Sequence, residues 1–67
     1  MAKYGKFVAK VSDCGEVIGE IRKTPFGQYD ARDFRASEHS FRRDTEGAMA
    51  FFTDCGGYGQ IAFQWAK

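Results

Sequence analysis

The side chains able to do chemistry are few, and their spacing suits none of the usual mechanisms. His39 is the single histidine, and Cys14 and Cys55 are the two thiols. A nucleophile needs a base within reach and a third group that orients the base. His39 falls in Ala36-Ser37-Glu38-His39, which reads as a tight reversal, and neither cysteine has a base beside it in the chain. Asp30 and Asp33 differ in parity, so on a strand they emerge on opposite faces and cannot act together as acid and base without a bulge. We assign them to ion pairing. One histidine and two cysteines are too few ligands for a zinc-type site. Gly56, Gly57 and Gly59 follow an expected helix instead of preceding one, the reverse of a phosphate cradle. The expectation is a protein that is not an enzyme, with no catalytic residue, no metal and no cofactor.

A chain of 67 residues allows one domain, residues 1–67, and buries only about 60% of the surface exposed on unfolding. Leucine is absent while seven Phe, three Tyr and one Trp are present, which favours strands with an aromatic core over a leucine-rich bundle. Ten basic and nine acidic residues nearly cancel, giving a net charge of +1, so the total implies no attraction to nucleic acid or anionic membrane. No stretch approaches the roughly 20 apolar residues of a membrane helix. The start, Met1-Ala2-Lys3-Tyr4-Gly5-Lys6, leads into a strand, so a cytoplasmic protein with no membrane partner is expected. Cys14 and Cys55 both sit in Ser/Thr-Asp-Cys-Gly contexts, read here as turn chemistry with free thiols.

The elements that must position these residues follow from periodicity. Glu16 to Lys23 sets Val17, Gly19 and Ile21 on one side and Glu16, Glu20 and Arg22 on the other, with Ile18 out of phase. Tyr4 to Ser12 alternates in the same way, with Phe7, Ala9 and Val11 inward. A three-residue loop Asp13-Cys14-Gly15 would pair Ser12 with Glu16, Val11 with Val17, Ala9 with Gly19 and Phe7 with Ile21. A second loop, Pro25-Phe26-Gly27, with Gly27 at positive φ, pairs Thr24 with Gln28. It thereby places Ile21 opposite Ala31, Arg22 opposite Asp30 and Glu20 opposite Arg32.

Asp33 would then point inward unless a bulge lies near Phe34, and such a bulge is expected. Ser40 to Arg43 reads as a short strand. Asp44 or Thr45 caps a helix whose buried face is Ala48, Phe51, Phe52 and Cys55, and Gly56 and Gly57 stop it. Gln60 to Lys67 is a strand with Ile61, Phe63 and Trp65 on its apolar side. The predicted fold is α+β: an antiparallel sheet of four strands, or five if Ser40–Arg43 counts, with one helix on one face in the order β-β-β-(β)-α-β. The last strand is expected beside the first, with pairing to the third as the competing topology. An exposed edge strand leaves either a monomer or an edge-strand homodimer.

The outer sheet face is the surface this reading singles out. It carries Val8, Ile18 and Phe34 at its centre, framed by Lys6, Lys10, Arg22 and Arg32 among acidic neighbours, as an apolar interface core is ringed by polar groups. These residues are the expected contact site for a protein or protein complex, with the chain acting as an inhibitor or adaptor. The alternative is nucleic-acid binding through Arg32, Arg35, Phe41, Arg42 and Arg43, where aromatics interleave with arginines. The strands followed by Phe41-x-x-Asp44-Thr45-x-x-Ala48 resemble AP2-type and integrase arm-type DNA-binding domains over Val17 to Phe52. That resemblance implies three strands in the major groove with the helix behind. The terminal strands and the acids of the third strand depart from that pattern. In size and architecture the chain is also similar to small phage-encoded proteins that inhibit host machinery.

Overall fold

The computed structural model describes residues 5–54 and 59–66. The elements are β1 (Lys6–Asp13), β2 (Glu16–Lys23), β3 (Tyr29–Asp33), β4 (Glu38–Arg42), α1 (Thr45–Thr53) and β5 (Ile61–Trp65). The strands form one antiparallel sheet in the order β4-β3-β2-β1-β5, and the helix packs on one face. The last strand therefore lies beside the first, and the short strand of the sequence reading is present as β4. It starts at Glu38, which puts His39 on a strand opposite Arg32 instead of in a reversal. The turn occupies 34–37, with Ser37 at φ 56°.

The β2–β3 hairpin has the predicted register, with Ile21 opposite Ala31, Arg22 opposite Asp30 and Glu20 opposite Arg32. Its loop is closed by Thr24, whose N–H donates to the Gln28 carbonyl at 2.7 Å and whose hydroxyl accepts from the Phe26 and Gln28 N–H groups. Gly27 takes the positive φ, 86°, that a side chain would resist.

The β1–β2 hairpin differs from its prediction. Asp13 pairs with Glu16 across a two-residue turn, Cys14-Gly15, and both turn residues have positive φ (53° and 88°), as a type I′ turn requires. That shorter loop would put the apolar residues of β2 out of phase with those of β1. One bulge restores the match and a second shifts it back: Ile18 is the extra residue between Ser12–Val17 and Val11–Gly19, and Val8 is the extra residue between Phe7–Arg22 and Ala9–Ile21, beyond which Phe7 pairs with Arg22. A bulged residue can turn to the face its parity denies. Ile18 is 1% exposed in the core, Val8 packs half-buried against it, and Val17 and Phe7, predicted inward, are exposed.

The core is Ala9, Val11, Ile18, Ile21, Ala31, Ala48 and Phe52. Phe52 is its largest member, and burial of such a ring stabilises by roughly 1.5–3 kcal/mol. It can lie close to the sheet because Gly19 has no side chain: a Cβ there would meet the Arg32 carbonyl oxygen, and Phe52 Cε1 at 2.7 Å. Asp44 caps α1, its Oδ1 accepting the Gly47 N–H at 2.8 Å. Ala48 and Phe52 form the buried face, with Phe51 beside them. The helix ends at Asp54, whose N–H donates to the Ala50 carbonyl at 2.8 Å; Cys55, Gly56 and Gly57 lie outside the described residues, as do Tyr4 and Lys67, the ends of the first and last predicted strands. Cys14 is a free, exposed thiol. Among the described residues no helix is long and apolar enough to cross a membrane.

Two buried carboxylates organise the end of the sheet nearest the Cys14-Gly15 turn. No bulge interrupts β3, so Asp33 stays in register with Gly19 and Glu38 and is buried. Its Oδ1 accepts from the N–H groups of Arg35 (3.0 Å) and Ala36 (3.2 Å), which closes the turn and satisfies the charge the parity argument found misplaced. Asp13 Oδ1 accepts from the N–H groups of Gln60 (2.8 Å) and Gly59 (2.9 Å), fixing the entry to β5. Asp13 Oδ2 lies 3.4 Å from Arg35 Nη1. The Gln60 N–H above all, then the Cys14 side chain, the Gly59 N–H and the Arg35 guanidinium, hold this carboxyl below the ordinary aspartate range against the opposing effect of burial.

Candidate partner-binding face

With α1 on one side, no other described element covers the opposite side of the sheet, and the registers order its side chains into rows. One row runs Phe7, Arg22, Asp30, Phe41 across β1, β2, β3 and β4. The next runs Gln64, Lys10, Glu20, Arg32, His39 across all five strands. At the centre, Arg22 and Glu20 on β2 meet Asp30 and Arg32 on β3, so each charge faces its opposite across the strands and has its opposite two residues along. Arg22 Nε lies 2.9 Å from Glu20 and Arg32 Nε lies 3.1 Å from Asp30.

Asp30 anchors this arrangement. It is fully buried although it belongs to the open face, because Arg32 and the His39 ring close over it, His39 Nδ1 lying 3.2 Å from Oδ1. Paired, such a carboxylate is tolerated; deprived of a partner it is costly. The neighbouring aromatics are fixed by the same charges. The Arg22 guanidinium stands over the Phe7 ring at 5.6 Å, and His39 meets Phe41 edge-on at 5.4 Å. Phe7, Phe41 and Phe34 are 39%, 48% and 52% exposed, so much of their ring area remains open to solvent. Beside Phe34 a depression of about 280 Å³ is lined by Arg32, Asp33, Ser37, Glu38 and His39.

This face keeps Lys10, Arg22, Arg32 and Phe34 from the sequence reading and replaces its centre. Ile18 and Val8 are core-facing through the two bulges, and Lys6 lies at the strand start opposite Lys23. The residues missed are Phe7, placed inward by the wrong register, and His39, placed in a turn. A signal for Phe7 was present: each of two adjacent strands has one apolar residue out of phase, Val8 and Ile18, and paired exceptions of this kind mark bulges better than an apolar outer patch.

The arginines of the nucleic-acid alternative do not gather in one place. Arg32 belongs to the charge lattice. Arg35 is in the turn after β3, bridged to Asp13 and Glu16. Arg42 lies on the helix side opposite Tyr29; its Nε donates to Ser40 Oγ at 2.9 Å and its Nη1 to the Gly47 carbonyl at 3.4 Å, and its guanidinium lies over Phe51. Arg43 is exposed just after β4, and Phe41 stands on the open face. Among the described residues no cluster of His, Cys, Asp and Glu is arranged to hold a metal. No protein-family model, curated protein or solved structure matches the chain.

Proposed function

We propose that this protein is a non-catalytic binding module that engages a protein or protein complex through the open sheet face, in the manner of an adaptor or inhibitor. The observation that carries the reading is the pair of half-open rings, Phe7 and Phe41, held by Arg22 and His39 beside a neutralised charge lattice, with the exposed Phe34 ring near them. Aromatic rings with fixed orientation lose little entropy on binding, and the patterned charges between them favour one register of the partner. Nucleic-acid binding is the second reading; a sheet face of balanced charge and dispersed arginines gives it less support.

The test uses tagged protein and the double variant Phe7→Ala/Phe41→Ala, whose fold is checked by circular dichroism. Proteins retained by the wild type and lost by the variant support the reading. Equal retention by both overturns it. A partner that proves to be DNA or RNA, with affinity falling steeply as salt rises and on Arg43→Ala, moves the assignment to the second reading.

A further inference from the structure

Among the described residues the sheet has two open edges, and they are unequal. β4 carries Glu38, His39 and Arg42, and Arg42 is held against α1. β5, Ile61-Ala62-Phe63-Gln64-Trp65, carries no charge and no proline, the devices that usually keep an edge from pairing. Its hydrogen-bonding groups are directed for pairing. At the two ends of an uninterrupted β1–β5 register, the Ala66 N–H donates to the Val8 carbonyl at 2.8 Å and the Gln60 carbonyl accepts the Cys14 N–H at 3.0 Å. Bonded and non-bonded pairs alternate in an antiparallel ladder. The even-numbered residues therefore bond to β1, and Ile61, Phe63 and Trp65 turn N–H and C=O groups toward the open edge. Their side chains share the helix side, opposite Asp13, Val11 and Ala9, where Phe63 stacks on Trp65 at 5.9 Å and Trp65 is 42% exposed.

We propose that β5 pairs antiparallel with β5 of a second copy of this chain, forming a two-fold dimer with one continuous sheet and both helices on the same side. The two-fold axis relating antiparallel neighbours stands perpendicular to the sheet, so residues opposed across it must share a face. The register that uses all three outward residues sets Phe63 opposite itself, Ile61 opposite Trp65 and Ala62 opposite Gln64. Each outward pair then exchanges both backbone bonds. The helix-side row becomes Trp65, Ile61, Phe63 and their copies, apolar throughout, and no like charges are opposed. This self-complementarity selects a second copy over an unrelated strand. The open face on which the proposed function rests is left free by this pairing, so the dimer goes beyond that reading and stands or falls separately. A contact of one short strand falls at the small end of interfaces, and the dimer is of roughly micromolar or weaker affinity.

Two double variants test the register at positions exposed on the open side. Ala62→Lys/Gln64→Glu opposes unlike charges across the axis, and Ala62→Glu/Gln64→Glu opposes like charges; both place the same Glu beside Lys10. Light scattering after size exclusion reads the mass, and the emission of Trp65, the sole tryptophan, reports its own burial against Ile61 on dilution. The expected result is a concentration-dependent wild-type dimer, equal or tighter association for the unlike pair, and association weakened about tenfold or more for the like pair. A wild type monomeric up to ~1 mM, or a dimer indifferent to both variants, overturns the proposal.

Discussion

The two hairpins that share β2 solve the same problem by different means. β2–β3 has a three-residue loop closed by Thr24 and an unbroken register, and its open side carries the Arg22, Glu20, Asp30 and Arg32 lattice. β1–β2 has a two-residue turn and two bulges, and its irregular positions supply Ile18 to the core and Val8 to its border. The difference shows that a bulge belongs to a strand pair and not to a strand. Ile18 is surplus against β1, yet its carbonyl accepts the Phe34 N–H at 2.8 Å where β3 runs into its turn. Regular pairing gives an orderly surface; the bulge at Ile18 repairs the phase of the interior, and the bulge at Val8 turns Phe7 out beside Arg22.

Truncations along β2 would break the comparison most sharply. Ile18→Ala is expected to cost about 2–5 kcal/mol, most of the ~3–5 kcal/mol available to so small a domain, and to leave the chain largely unfolded in a urea titration. Glu20→Ala, two residues on, is expected to stay within ~0.5 kcal/mol; equal losses would dissolve the distinction between inward bulge and outward lattice. Gly19→Ala comes next, at about 1–3 kcal/mol. Because the new methyl meets the Arg32 carbonyl as well as the Phe52 ring, adding Phe52→Leu should recover only part of the loss, read as the urea midpoint.

The turns are expected to be more alike than the ladders they close. Gly15 and Gly27 have φ of 88° and 86° with open space where a Cβ would be. Gly15→Ala and Gly27→Ala should each cost about 1–2 kcal/mol through backbone strain, and a thermal melt separating them widely would argue against equivalent turns. The bulged hairpin carries a titrating clasp beside its turn. With the Asp13 pKa lowered in the folded state, its contribution is fully present above the ordinary aspartate value, near ~3.9, and is lost as pH falls from there through the lower folded value. Melting temperature should therefore drop over that acid interval in the wild type and less steeply in Asp13→Asn.

The sheet order and the β2–β3 hairpin were legible because loop chemistry, parity and charge complementarity agreed at Pro25-Phe26-Gly27, Arg22–Asp30 and Glu20–Arg32. The helix was legible from the Asp44 cap and the Ala48, Phe52 spacing. In β1–β2 those cues conflicted, since a longer loop keeps strict alternation while a tight Cys14-Gly15 turn needs a bulge to make up the phase. Strict alternation was the simpler choice, and it carried Ile18 to the surface and Phe7 to the interior. Asp33 was hidden for another reason. A carboxylate at inner parity reads as a misfit until its acceptors find the turn N–H groups of Arg35 and Ala36, and that geometry depends on a turn the sequence placed two residues late.

The pairing of β1 with β5 bears on how the chain becomes a structure. Every other strand contact joins neighbours in sequence, but Ser12 must wait for Ala62, and Asp13 for the backbone of Gly59 and Gln60. During synthesis the meander and helix are made while the outer edge of β1 stays open, and this one non-local closure bears the largest loop entropy in the fold. The clasp at Asp13 joins backbone groups 46 and 47 positions away, and so secures the one long-range closure on which the outer strand depends.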